Sequence, residues 1–397
     1  MSFTPFVNLQ TPQEAHAHIA RLCPNERTQA VPLREALGTV LASDVHALRA
    51  LPAFDCAAMD GYAFRADDSA KSFSVVATIY AGDVPPTRAF GSGECCKIMT
   101  GAPIPRGLDC VIPHEDVALQ GDMVCPKIAI KHGSHIRITG EEIARGAALL
   151  PKGARLGGAA VGLLASQGIA EVQCFAPLRV AVCATGDELC ENLGSAGEYE
   201  VYNSNAPMIV GMLKNAGFAA TDCGMIVDKE DAFAAKVAEL LGAHDCIITT
   251  GGASGGERDL LRRTVESLGF TILFHGIDIK PGKPVLLAHK KDKIFLGLPG
   301  TPSGAFAALC VVGLPLLRRL CGRSDWLPLE LSIPLAHDVR CKKGKHKIVL
   351  GALENGAFAP LPFALHALYR AHAWLLLPPA CEGLAAGERV HAHLLWV

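Results

Sequence analysis

The chain is 397 residues long, too long for one ordinary core, so two to four domains are expected. Half of it is apolar, its formal charge is −2 and no basic tract appears, which argues against nucleic acid as the main partner. The longest apolar run, around Gly304 to Leu317, is interrupted by Pro315 and too short for a membrane span, and no signal peptide is visible, so a cytoplasmic location off the membrane is expected.

Residues 1–45 and 146–177 read as one extended segment interrupted by an insertion, with a helix near Gly157 to Gln167. The insertion, 46–145, has short β-like runs broken by Pro and Gly and predicts a β-rich domain. Its segment Phe54–Arg65 holds Asp55 and Asp60, with Asp60-Gly61 expected as a turn. The stretch Lys97–Asp116 has two Pro-bounded turns that imply rigid loops and, by themselves, no reaction.

Residues 178–322 alternate strand and helix. LRVAVCATG reads as a strand ending in a glycine turn. A helix follows with Met208, Ile209, Met212 and Leu213 on one face, closed by Gly217. Then come a strand to Val227, a helix, the strand Cys246–Thr249, a helix from near Glu257, two further β segments and a helix from Pro302 to Cys321. This pattern predicts a doubly wound, mostly parallel sheet whose ligands sit at the carboxyl ends of the strands. The loops Thr185–Glu188, Gly251–Asp259 and Pro299–Ser303 should therefore share one edge. The tail, 323–397, has short alternating strands and suits a small β-barrel or sandwich.

The glycine turn Gly251, Gly252, Gly255 and Gly256 follows a strand and precedes a helix, which is how a backbone cradle for an anion is made. A tight strand-to-helix corner explains it as well. Asp187 with Glu188, Asp228, and Asp259 place carboxylates at three neighbouring strand ends. Individually, capping is the better explanation, and Asp228 reads as an ordinary helix cap. Jointly, beside a glycine cradle, they suit Mg²⁺ and phosphate. Lys280 and Lys283, held by two prolines and a glycine in KPGKP, are either rigidly placed cations or a solvated turn; the spacing is not a Walker loop. Gly252-Ala-Ser254-Gly-Gly256 matches a hydrolase nucleophile elbow, but no His stands in a loop that clearly follows a parallel strand. Fifteen cysteines without a C-x-x-C pair read as reduced thiols, and the pairs His16/His18, His132/His135 and His391/His393 as surface or core histidines.

Taken together, LPAFDCAAMDGYAFR, KIMTGAPIPRGLDCVI, SHIRITGEEI, ATGDEL, TTGGASGGERD, IDIKPGKPV and GLPGTPSG, in this order, resemble the molybdopterin molybdenumtransferase family, which includes bacterial MoeA and the gephyrin E-domain. The resemblance covers about residues 1–322. It implies a multidomain α/β plus β fold with a molybdopterin-binding α/β domain, an extended dimerisation segment and a small C-terminal β domain. It also implies an L-shaped homodimer and a reaction in which molybdate enters the dithiolene of adenylylated molybdopterin with Mg²⁺-dependent release of AMP. A molybdopterin adenylyltransferase is the implied protein partner. By matching motif positions, Glu188, Asp228 and Asp259 handle metal and phosphate, and with Asp60 form the catalytic set. Thr100, Arg137, Thr185, Gly251, Gly252, Ser254, Gly255, Lys280, Lys283, Pro299, Pro302 and Ser303 are the ligand-binding set.

Four departures from the family pattern stand out. Glu142 replaces an aspartate in Gly140-Glu141-Glu142, and Thr301 replaces an asparagine in Pro299-Gly300-Thr301-Pro302. In the tail, Leu350-Gly351 aligns with an Arg-Gly element, and Leu361–Ala367 with a serine-containing stretch. An Arg and a Ser of the family's site are thus missing. The alternative reading is a degenerate member that binds pterin as a scaffold. Lys345, Lys347 and Arg370 are candidate substitute donors.

Overall fold

The computed structural model describes residues 9–252 and 260–395. Contacts divide the chain into two compact units: Asp44–Pro151 with Gly162–Ala170, and Met1–Ser43 with Lys152–Val161 and Glu171–Val397.

In the smaller unit six strands form one sheet, in the order Cys110–Pro113, Gly61–Phe64, Glu94–Ile98, Phe73–Ile79, Met123–Pro126, Val117–Gln120. Alternate residues feed different cores: Ala63, Cys96 and Val111 face one, Phe64, Cys95 and Ile112 the other. Gly61 opens a strand and is not part of a turn. A Cβ there would stand 2.1 Å from the Ile112 carbonyl oxygen, so only glycine allows the two strands to approach.

The larger unit is built on a six-stranded sheet. In space its strands run Ala219–Ile226, Arg179–Thr185, Cys246–Thr250, Lys293–Leu298, Leu286–Lys290, Thr271–His275. The first four are mutually parallel, and Leu286–Lys290 runs antiparallel to both of its neighbours. Val180, Val182 and Ala184 enter one core with the helices Pro12–Ala20, Asn205–Asn215 and the run from Pro302. Ala181 and Cys183 enter a second core with the helix Glu230–Ala243. Burial on both faces explains why Val180–Ala184 is an unbroken apolar run.

The first of the two further β segments expected after the Cys246–Thr249 strand and its helix, FTILFHGIDI, divides. Thr271–His275 stays in this sheet, whereas Ile279–Lys280 pairs in parallel with His346–Glu354 at the edge of the C-terminal sheet. That second sheet continues through Ala373–Leu377, Arg389–Leu394 and Glu330–Pro334.

The helical run Pro302–Leu320 is long and apolar enough to cross a membrane by length and composition, yet 89% of it is buried inside the protein. It widens into a π turn over Leu309–Gly313. Pro315 explains the widening: it has no N–H to donate, and its ring clashes with the carbonyl four residues earlier. That carbonyl, Val311, instead meets His16 Nε2 at 2.7 Å, so His16 serves packing and carries its proton on Nε2.

At the amino edge of the first sheet, Asp245 is 7% exposed. It accepts hydrogen bonds from Arg27 Nη2 at 2.5 Å and Arg179 Nη2 at 2.9 Å, with Lys293 Nζ at 3.7 Å. Burial alone would raise its pKa, but the Arg179 hydrogen bonds and the charge of Arg27 prevail and lower it to about 2. A folded-state value below the unfolded one stabilises the fold above about pH 4, and the gain is lost as the pH falls towards 2. The contribution is about 2 kcal/mol at neutral pH. Asp245→Asn is expected to lose that much in urea unfolding at pH 7 and to converge with the wild type near pH 2. A constant difference across that range would remove Asp245 as the cause.

Candidate functional site

The register of the parallel strands fixes which residues share an edge. Thr185 pairs with Ile226, Ala184 with Thr250, and Thr250 with Leu298. The residues that follow these strand ends, Gly186–Glu188, Val227–Asp228, Gly251–Gly252 and Pro299–Ser303, therefore emerge at one carboxyl edge. Chain order reverses between the Thr185 and Thr250 strands, which makes their ends the crevice where such sheets bind ligands.

The turn at this crevice is tight. Gly251 has φ +95°, and a Cβ there would lie 2.0 Å from the Thr185 carbonyl oxygen. Gly252 (φ +64°) rests on the Thr185 methyl, and a Cβ on Gly300 would stand 3.4 Å from the Gly251 Cα. Three loops thus meet through backbone at distances that side chains would prevent. Ser254, Gly255, Gly256 and Asp259 lie outside the described residues.

Asp228 does not cap the helix that follows. The cap position is Lys229, without a side-chain bond, and the Asp228 Oδ1 instead accepts the Thr185 hydroxyl at 3.2 Å. Among the described residues, the Thr185 hydroxyl is the hydrogen-bond partner of this carboxylate. Glu188 curls back over Gly186, where a Cβ would touch its carboxylate at 2.8 Å. Among the described residues no group of three His, Cys, Asp or Glu side chains comes together to hold a metal ion. Two carboxylates and a hydroxyl at neighbouring strand ends are nonetheless hard oxygen donors, which fit Mg²⁺, an ion that takes one or two carboxylates and completes its shell with phosphate and water.

Lys280 and Lys283 belong to the loop between Thr271–His275 and Leu286–Lys290. Leu286 pairs with Gly297, so this loop hangs at the same carboxyl edge. It is fastened by Ile277 N to Lys283 O at 2.9 Å, and Gly282 packs against the backbone of the helix beginning at Pro302. Lys280 lies in register with Lys347 of the C-terminal sheet, whose Nζ donates to Arg340 O at 2.8 Å. Arg370 is paired with Glu354 at 3.3 Å. Leu350 is 1% exposed, packed in the strand pairs opposite Leu361 and Trp374. Phe363, from the stretch without serine, stacks edge-on with Phe306.

Asn205 was not legible as a site residue. It is 8% exposed at the start of a helix, its Nδ2 donates to Gly300 O at 2.6 Å, and its Oδ1 is buried without a partner among the described residues. It thus ties that helix to the Gly300 loop. The NSN tripeptide before an apolar helix was the available signal, because a helix start normally carries an exposed asparagine cap.

In the smaller unit Asp60 Oδ1 accepts both the amide and the hydroxyl of Thr100 at 2.7 Å. These two bonds, the amide first, hold the Asp60 carboxyl below the usual range. Asp55 repeats the arrangement with Thr139 at 2.8 and 2.6 Å. Arg137 is clasped by Glu141 at 2.6 Å and Glu142 at 3.0 Å. The extra methylene of Glu142 thus does not prevent contact, and Arg137 is committed to two carboxylates rather than presented as a bare cation.

Residues 10–168 match the family described as "MoeA N-terminal region (domain I and II)", and residues 181–319 match "Probable molybdopterin binding domain". A protein of Haemophilus influenzae named molybdopterin molybdenumtransferase is 35% identical over 76% of this chain and 74% of its own length. One of the same name from Synechococcus elongatus is 31% identical over 92% and 94%. The crystal structure of a molybdopterin biosynthesis protein, moeA, from Pyrococcus horikoshii superposes with a TM-score of 0.85 at 27% identity, over 98% of this chain and 100% of that one.

Proposed function

The chain belongs to the molybdopterin molybdenumtransferase family of molybdenum cofactor biosynthesis, and on that premise we propose that it inserts molybdate into adenylylated molybdopterin with Mg²⁺-dependent release of AMP. The observation that carries the proposal is the Asp228 carboxylate, turned from helix capping to the Thr185 hydroxyl at the mouth of the glycine crevice.

On this reading the pterin diphosphate lies on the Gly251–Gly252 turn, extended by Ser254 and Gly255 on the strength of the resemblance. Glu188, Asp228 and Asp259 hold Mg²⁺, which when bound draws charge from the phosphate oxygens and favours attack on the phosphoanhydride. Lys280 and Lys283 steer and fix the anionic ligand, and Lys347, in register beside Lys280, adds a cation where the tail lacks the family's Arg and Ser. Pro299, Pro302 and Ser303 shape the neighbouring loop. Asp60, aimed by Thr100, and Arg137, aimed by Glu141 and Glu142, are the family-matched groups of the smaller unit. A homodimer, a cytoplasmic location and an adenylyltransferase partner belong to the same proposal.

Purified chain given adenylylated molybdopterin, Mg²⁺ and molybdate is expected to release AMP, and chelation with EDTA to stop it. Undiminished release in EDTA would sink the metal role. Tight pterin binding with no AMP at all would make the chain a scaffold, the outcome that the apolar Leu350 and Leu361–Ala367 favour.

A further inference from the structure

Away from the reaction edge, a cavity of about 440 Å³ opens at the amino edge of the sheet, where the Arg179 and Ala219 strands begin side by side. Val40, Phe175, Leu178 and Phe218 give it apolar walls, and Arg155 and Arg323 line it as well. Arg155 Nη2 reaches between two glycines, 3.9 Å and 3.8 Å from where Cβ atoms on Gly38 and Gly217 would stand. Among the described residues nothing accepts a hydrogen bond from its guanidinium. Arg323 is 6% exposed, and its fork is engaged by Asp325 at 2.9 and 2.6 Å.

A third guanidinium stands close by. Arg318 is 3% exposed, and its Nε is buried without a hydrogen-bond partner among the described residues. Burial, then the charges of Arg323 and Arg155, disfavour its cation, and Asp325 opposes them. Arg323 and Arg318 therefore share the Asp325 carboxylate, and Arg155 adds a third positive charge beside them. The carboxyl end of the helix Leu314–Leu320 offsets part of this, but a helix end contributes only about half a unit of charge. Like charges gathered around a partly buried pocket are costly unless an anion joins them.

We infer that this cavity binds a small aromatic phosphate monoester, with the phosphate on Arg155 and Arg323 and the ring against Phe175, Leu178 and Phe218. Guanidinium forks match phosphate geometry, and phosphate draws more from them than a carboxylate that is already paired. The apolar walls and the volume call for a ring, since an inorganic anion would leave them wet. The inference is independent of the reaction proposed above, because the two sites lie at opposite edges of the sheet.

Isothermal titration of the full chain with phenyl phosphate, inorganic phosphate and phenol tests it. Phenyl phosphate is expected to bind at one site with Kd below about 1 mM, at least about tenfold tighter than either fragment. Arg155 is exposed and outside the cores, so Arg155→Leu should keep its circular dichroism and AMP release while losing at least about tenfold in affinity. Arg155→Gln should behave alike, and Lys280→Ala, at the reaction edge, should bind as the wild type does. The inference is overturned by absent binding, by equal affinity for inorganic phosphate, by unchanged affinity in both Arg155 variants, or by a loss confined to Lys280→Ala.

Discussion

Asp228→Asn is expected to lower kcat for AMP release by at least about a hundredfold while the unfolding midpoint moves by no more than about 2 °C. Asparagine keeps the shape and an oxygen that still accepts the Thr185 hydroxyl, so the local contact at 3.2 Å survives. What disappears is the charge, and a preorganised charge is the kind of group whose loss shows in the transition state. The Mg²⁺ dependence supplies a second readout. If Asp228 helps to hold the ion, the variant needs more Mg²⁺ for half-maximal rate; if it acts only on substrate, the Mg²⁺ midpoint stays fixed. Asp222→Asn is the control, since Asp222 is exposed in the middle of the strand that leads to Asp228 and, among the described residues, accepts from Gly224 N of its own strand. Full kcat in Asp228→Asn would remove the residue from the site.

The same residue shows how far sequence reasoning reaches. A carboxylate just before a helix reads as a cap, because capping is local and common. The alternative depends on Thr185, 43 positions earlier, meeting Asp228 through the pairing of Thr185 with Ile226. The α/β sheet was legible because burial on both faces leaves long apolar runs, and its shared carboxyl edge follows from strand direction alone. The division of residues 270–280 between two sheets was not, since Ile279–Lys280 is recruited by a strand from the tail, His346–Glu354. The place of Lys347 beside Lys280 was hidden for the same reason. Leu350 was the reverse case: its chemistry was plain in the sequence, and its 1% exposure supplies the cause, a core position that repays apolar packing.

Gly251→Ala should be the most damaging single methyl group at the site, costing about 3 kcal/mol in stability and most of the turnover. Two penalties combine. The backbone stands at φ +95°, outside the range an alanine accepts without strain, and the new Cβ would sit 2.0 Å from the Thr185 carbonyl oxygen. That neighbour is main chain at the end of a central strand, so no side chain can swing aside. Relief requires the Thr185 and Thr250 strand ends to part, which moves the Thr185 hydroxyl and, through it, Asp228. Gly252→Ala is the matched comparison. Its φ of +64° is the left-handed region and the nearest described atoms to its Cβ would be side-chain carbons of Leu261 and Thr185 at 3.4 Å, so a loss of about 1 kcal/mol is expected. Urea unfolding and AMP release measured on both variants separate a cradle from an ordinary corner. In an ordinary corner, turnover per folded molecule is untouched in both variants. In a cradle, Gly251→Ala loses turnover even under conditions where it is fully folded, and Gly252→Ala keeps most of it.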